Sequence, residues 1–353
     1  MSKPHLLITG ASGYLGSHLL TALAKNNKYD LTGIDIRTNS KFQKSTRFVE
    51  ADLNNIDLLS KTLEGVDLIC HCASLGKTTR INRPGGQPTT NNQFMITNIK
   101  GTQNLYKQAK EKGVNKIILT SSIEVLSLGL QKENWPVNEH HICWPDDSYG
   151  VSKYIQEIIA RSFADSGSIQ TLALRPCAFF PVNDPERGFR LTGAHAMVED
   201  IVNAHVAAVE VLLDEKRASD LNKFEAIFIT NKLPYQNSDK NLIDSREKMK
   251  KLIRKYWPDH AEYVFDLGYK QAFFPCVYDI SKAKRILNWE PLFNFDEWIS
   301  YCKKNNLSFQ DERDQYKSKK SLASLFETKI CFARPYWDIP YMIPKLIAFA
   351  FLL

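Results

Sequence analysis

Ser122, Tyr149 and Lys153 are the residues whose types and spacing could take a proton from an alcohol. Tyr149 and Lys153 stand four apart, which sets a phenol and an ammonium on one face of a helix. A free phenol titrates near 10, so a phenolate base at pH 7 requires a shift of about 3 units, or roughly 4 kcal/mol. An ammonium about 4 Å away, at an effective dielectric of about 20, supplies about that much. On this reading Ser122 holds the substrate oxygen, Tyr149 accepts its proton, and a hydride leaves for a cofactor. The Tyr-x-x-x-Lys spacing occurs five times, at Tyr106/Lys110, Tyr149/Lys153, Tyr278/Lys282, Tyr316/Lys320 and Tyr341/Lys345, so spacing alone selects none of them. Tyr149/Lys153 is distinguished by following an apolar run that ends in Thr120-Ser121-Ser122 and by opening a helical pattern.

A second group of residues could hold such a cofactor. Gly10, Gly13 and Gly16 follow the apolar run His5-Leu-Leu-Ile-Thr9 and open a helical pattern, with Tyr14 and Leu15 between the last two glycines. Strand, tight turn and helix in that order aim a helix N-terminus at a dinucleotide pyrophosphate, and glycines let the backbone approach it closely. An ordinary glycine-rich turn has the same local pattern, so the motif needs its surroundings.

Those surroundings are an alternation of short apolar runs with helical patterns. Strands are expected at Tyr29–Asp35, Thr46–Ala51, Asp67–Ala73, Asn115–Ser121 and Ile169–Arg175, after the first one at His5. Helices are expected over about Asn91–Lys112, from Ser148, and over Val198–Leu213. This pattern predicts an α/β fold, a Rossmann-type doubly wound parallel sheet with a smaller C-terminal substrate lobe. The expected division is a dinucleotide-binding domain over 1–175, to which 198–230 returns, an interleaved lobe over 176–310, and a polar linker with an apolar appendage over 311–353.

Composition narrows the class. At 353 residues, 43% hydrophobic and 24% charged, the chain has ordinary globular proportions, which excludes disordered and collagen-like classes. A formal charge of +7 is spread along the chain rather than gathered into a basic stripe, so no nucleic-acid partner is expected. Seven cysteines, without paired Cys-x-x-Cys elements, fit reduced thiols and a cytoplasmic location. The first residues run straight into an apolar strand, so no secretory signal is expected. The apolar end Ile339–Leu353 is shorter than the roughly 20 residues a spanning helix needs, which leaves peripheral membrane contact open. No cluster has metal-ligand spacing, and His195 and His205 are expected to pack or to face solvent. Lys77, Arg80 and Arg83 could meet an anionic substrate but are expected in a solvated loop.

Together these residues resemble the extended short-chain dehydrogenase/reductases of the NAD-dependent epimerase/dehydratase type, over roughly residues 5–305. Further matching pieces are Asp35, Asp52-Leu53, His71-Cys-Ala73, Asn98, Leu174-Arg-Pro176 and Val277–Pro291. The resemblance implies NAD as cofactor, with Asp35 accepting from the adenosine ribose and Asp52 at the adenine amino group. It implies cofactor contacts at Leu53, Ala73, Asn98, Tyr149, Lys153 and Pro176, and a homodimer. Arg37, near Asp35, is the residue that could instead accommodate NADP.

In the sugar-nucleotide dehydratases of this family an Asp-Glu pair precedes a valine; here Ile123 replaces the Asp and Glu124 remains as a single acid or base. The Asn that helps hold a substrate diphosphate after the sixth strand is also missing from Arg175–Pro181. The string Ser121-Ser-Ile-Glu-Val125 also resembles the 3β-hydroxysteroid dehydrogenases. The expected activity is oxidation of a secondary alcohol on a small, sugar-like substrate, with a dehydrogenase or epimerase outcome. The alternatives are a sugar-nucleotide epimerase or dehydratase, a 3β-hydroxysteroid-dehydrogenase-like enzyme, and a non-catalytic NAD-binding regulator.

Overall fold

The computed structural model describes residues 2–25, 27–38, 46–77, 88–127, 135–179, 188–243, 245–269 and 276–304. Arg80, Arg83 and the linker and apolar end beyond residue 310 lie outside them. Seven parallel strands form one sheet in the order β3-β2-β1-β4-β5-β6-β7. They are β1 (His5–Thr9), β2 (Asp30–Asp35), β3 (Arg47–Glu50), β4 (Leu68–His71), β5 (Lys116–Thr120), β6 (Gln170–Pro176) and β7 (Phe224–Ile229).

Both faces of this sheet are covered, which is why its central strands are continuous apolar runs rather than alternating ones. Leu6 and Ile8 pack into one core with Leu15, Leu19 and Leu20 of helix α1 (Tyr14–Ala24) and with Ile201 and Ala208 of helix Val198–Leu213. Leu7, between them, enters a second core with Leu59 of helix α2 (Ile56–Thr62) and with Leu105, Tyr106 and Ala109 of helix Gly101–Glu111. One strand thus feeds two cores by the two-residue period of its side chains. Strand order reverses between β1 and β4, which opens the crevice at the carboxyl ends where doubly wound sheets bind ligands.

Two elements differ from the sequence expectation. The strand Phe224–Ile229 adds a seventh member beside β6, within a segment for which no strand was expected. The single helix expected over Asn91–Lys112 is interrupted: Asn91–Phe94 and Gly101–Glu111 are α-helical, while Met95–Lys100 is a π-helix. A π-turn adds a residue to the helical circuit and shifts the faces that follow it, and apolar periodicity does not register such a change.

The later helices, Arg246–Tyr256, Ala261–Asp266, Ser281–Leu287 and Phe295–Lys304, continue the first core. Asp200, at the start of helix Val198–Leu213, ties the segment between the last two of them to that helix. Its carboxylate accepts the N–H groups of Leu292 (2.8 Å) and Phe293 (3.3 Å), and its carbonyl accepts the Trp289 indole N–H (3.1 Å). Among the described residues no helix is long and apolar enough to cross a membrane.

Candidate active site

The glycine-rich turn is packed so closely that only glycine fits. Gly10 has φ of 67°, and a β-carbon on it would lie 2.7 Å from the backbone of Ala73. A β-carbon on Gly16 would lie 2.2 Å from the carbonyl oxygen of Gly10. The first turn of α1 is thereby pulled down onto the end of β1. Gly13 caps α1 without a side-chain hydrogen bond, and the N-terminus of α1 opens at this turn, where a helix favours an anion. This cradle suits a pyrophosphate.

Asp35 ends β2 beside the turn, its two oxygens accepting the N–H groups of Ser12 (3.0 Å) and Arg37 (3.2 Å). Burial raises its carboxyl pKa, opposed by those hydrogen bonds and by the charge of Arg37. Asp52 is exposed and bonds within its own turn, accepting from the backbone N–H (2.8 Å) and side-chain amide (2.7 Å) of Asn54. Leu53 is buried beside Gly101, and Pro176 is buried at the end of β6.

Behind the crevice lies a buried polar chain that the sequence reading did not assemble. His71 bonds Thr9 Oγ1 through Nδ1 (2.7 Å) and Thr102 Oγ1 through Nε2 (2.8 Å). Ala73 donates its N–H to the same Thr9 hydroxyl at 3.1 Å. Burial lowers the His71 pKa to about 3, with a further lowering from Lys153, so the ring is neutral. Asn98, on the π-helical stretch, accepts the Leu75 N–H (2.7 Å) and donates to the Leu75 carbonyl (3.0 Å) and Ser152 Oγ (2.9 Å). It pins the segment after β4 to the helix that carries Tyr149.

That helix, Ser148–Asp165, begins at Asp147, whose carboxylate accepts the Gly150 N–H at 2.7 Å. The Ser122 hydroxyl lies close enough to the Tyr149 phenol to lower its pKa, so the fold brings together the residue expected to hold the substrate oxygen and the one expected to take its proton. Ser122 Oγ also accepts the Glu124 N–H at 3.1 Å, which shapes the short turn after β5. Glu157, further along the same helix, pairs with Arg175 at 2.7 Å in the buried interior. Arg175 stands on β6, so this pair fixes the helix against the strand ends.

Lys153 behaves differently from expectation. Its ammonium donates to the Thr120 carbonyl at 2.8 Å and stands 5.9 Å from the centre of the Tyr149 ring. Burial lowers its pKa to about 7. The Tyr149 phenol is shifted upward, first by burial and then by the charge of Glu124; Lys77 and the Ser122 hydrogen bond oppose this. Burial thus opposes the phenolate that Lys153 would favour. Attraction between phenol and ammonium is offset by the cost of burying both groups.

Lys77 is also a correction. It is not a solvated loop residue, because its ammonium pairs with the carboxylates of Glu124 and Asp147. Glu124 is thus an ion-paired carboxylate beside Tyr149. Its carboxyl pKa is raised by burial and lowered by Lys77. Asp147 was not singled out in the sequence, where its position just before the Tyr149 helix signals only a cap. His205 is a packed histidine, bonding Thr120 Oγ1 at 2.9 Å and the Ile201 carbonyl at 2.8 Å, and His195 is buried. No group of metal ligands occurs among the described residues.

The model of the NAD dependent epimerase/dehydratase family matches residues 6–220. The chain belongs to that family. Its fold and its cofactor class, NAD, follow from this membership, and so does its place among oxidoreductases. Among curated relatives it is 26% identical to the decarboxylating sterol-4-alpha-carboxylate 3-dehydrogenase of Saccharomyces cerevisiae, over 88% of this chain and 99% of that one. It is 30% identical to the human enzyme of the same name, over 64% of this chain and 62% of that protein. The uronate dehydrogenase of Pseudomonas syringae is 30% identical over 50% of this chain and 60% of its own length. Among solved structures, a UDP-galactose 4-epimerase superposes with a TM-score of 0.60 at 18% identity, covering 84% of this chain and 96% of that one. At that identity the likeness concerns the fold.

Proposed function

We propose that the protein oxidises a secondary alcohol with NAD on a polar, sugar-like substrate, Tyr149 accepting the proton and Ser122 holding the oxygen. The observation that carries this reading is the placement of the Ser122 hydroxyl beside the Tyr149 phenol at the carboxyl end of β5, next to the charged pair of Glu124 and Lys77. NAD, when bound, supplies the hydride acceptor. The turn of Gly10, Gly13, Tyr14, Leu15 and Gly16 would hold its pyrophosphate and Asp35 its adenosine ribose. Asp52 and Leu53 would lie on the adenine side. Ala73, Asn98, Lys153 and Pro176 would line the nicotinamide half.

Ile123, in place of an acidic residue, and Cys177-Ala178, in place of an asparagine after β6, favour net oxidation over dehydration or epimerisation of a sugar nucleotide. A second reading, oxidation of a 3β-hydroxysterol, is supported by the near full-length likeness to the yeast sterol dehydrogenase. We further propose a cytoplasmic homodimer. The absence of a disulfide among the six described cysteines supports the first part, and the apolar side chains of Met95, Ile96, Val151 and Ile158 exposed on helices support the second.

The test follows NADH absorbance while sugars, sugar nucleotides and 3β-hydroxysterols are offered to the wild type and to Tyr149→Phe. The expected result is NADH formation with a sugar, reduced by about 10²–10⁴-fold in Tyr149→Phe with NAD affinity retained. Product without net NADH would replace oxidation by epimerisation, and near wild-type turnover in Tyr149→Phe would remove the tyrosine from the reaction.

A further inference from the structure

Lys77 lies where three segments of the site meet. It stands in the segment after β4, and its ammonium pairs with both Glu124 and Asp147. Glu124 belongs to the turn that follows Ser122, and Asp147 caps the helix that carries Tyr149. The same ammonium is 5.9 Å from the centre of the Tyr149 ring, the distance at which Lys153 also stands.

The two cations have different surroundings. Lys153 is buried against the Thr120 carbonyl, and with its pKa lowered to about 7 it is charged in only part of the molecules near neutrality. Lys77 is partly exposed and held between two carboxylates, to which its ammonium is ion-paired. The groups facing Tyr149 are thus Lys77 from the β4 side, Glu124 and the Ser122 hydroxyl from the turn after β5, Asp147 and Lys153 from its own helix, and the Phe94 ring at 5.9 Å. Two of these are anions that oppose loss of the phenolic proton.

We propose that Lys77 is a positioning residue for the reacting phenol: its bridge to Glu124 and Asp147 joins the segment after β4 to the Ser122 turn and the Tyr149 helix, and its charge offsets the two carboxylates beside Tyr149. The proposal rests on Tyr149 being the proton acceptor. Without Lys77, two uncompensated carboxylates face a phenol that must ionise. With Glu124 neutralised and Lys77 kept, the balance turns the other way. A residue with only a structural role would not move the phenol in opposite directions through these two changes.

The experiment titrates Tyr149 itself, in the NAD complex, by tyrosinate absorbance after rapid pH jumps to values up to about 12. Each protein is differenced against the same protein carrying Tyr149→Phe, which removes the other tyrosines. Lys77→Met is expected to raise the Tyr149 midpoint by about 1 pH unit or more, Lys77→Arg to keep it near wild type, and Glu124→Gln to lower it. If the wild-type phenol stays protonated to the upper limit, Lys77→Met is compared in the Glu124→Gln background, which is expected to bring the phenol into range. Midpoints unmoved by Lys77→Met, or a phenol still protonated at the limit in Glu124→Gln, overturn the proposal. The titration needs no substrate, so its failure is distinct from failure of the functional reading, which Tyr149→Phe turnover decides.

Discussion

A β-carbon on Gly150 would stand 2.3 Å from the carbonyl oxygen of Glu124. The first turn of the Tyr149 helix therefore lies directly on the turn that follows Ser122, and this contact is what brings phenol and hydroxyl together. Gly150→Ala should destabilise the fold by about 1–3 kcal/mol, because overpacking against backbone outweighs the roughly 1 kcal/mol that alanine gains in a helix. It should also separate Tyr149 from Ser122 and lower turnover. Urea unfolding checks the first effect; a midpoint equal to wild type would mean that the Glu124 turn can retreat.

Lys153 gives stability a pH dependence of known sign. Its folded pKa is about 7, against about 10.4 for an unfolded lysine. Below the folded value the group is charged in both states and its burial penalty is fully present; between the two values the unfolded state holds more protons, so stability rises with pH. Lys153→Met should therefore be more stable than wild type at pH 6.5, on the order of a few kcal/mol, and this advantage should fade toward pH 10. Denaturant midpoints at both pH values measure it, and an advantage independent of pH would contradict the burial argument.

The buried histidines act at the acid end. His71 and His205 have folded pKa values lowered to about 3 and about 4, chiefly by burial. Each is neutral in the fold and takes up a proton when unfolded below about 6.5, so stability is lost as pH falls through that value. At pH 5.5 each should have removed roughly 1.4 kcal/mol. Unfolding midpoints between pH 7.5 and 5 test this, and a flat profile would mean that water reaches these rings.

Asp35 should govern the choice between dinucleotides. Asp35→Ala removes a carboxylate at the end of β2 that would repel a 2′-phosphate, while Arg37 stays beside it. The NADP-to-NAD affinity ratio is expected to rise by about tenfold, read by fluorescence titration with each cofactor. A wild type that already prefers NADP would transfer that role to Arg37.

Local pattern carried much of this protein. The glycine spacing, the apolar runs of the first six strands and the limits of helix Val198–Leu213 are visible in the sequence, because turns, strands and helices are written in neighbouring residues. The start of helix Ser148–Asp165 was legible for the same reason, and with it the four-residue spacing of Tyr149 and Lys153. The interrupted helix at Met95–Lys100 was not, since a π-turn alters the backbone circuit and leaves the apolar pattern in place.

What only the tertiary structure decided is which polar groups face one another across the sheet. His71 lies between Thr9 and Thr102 because β4 pairs with β1 while helix Gly101–Glu111 covers the same face. Lys77 meets Glu124 and Asp147 because three separate segments end at the carboxyl edge of the sheet. Lys153 turns to the Thr120 carbonyl because a buried ammonium must find an acceptor, and the end of β5 is the one it reaches. Sequence spacing determines which face of a helix a residue occupies. What waits on that face depends on strand order, and with it the ionisation of the groups placed there.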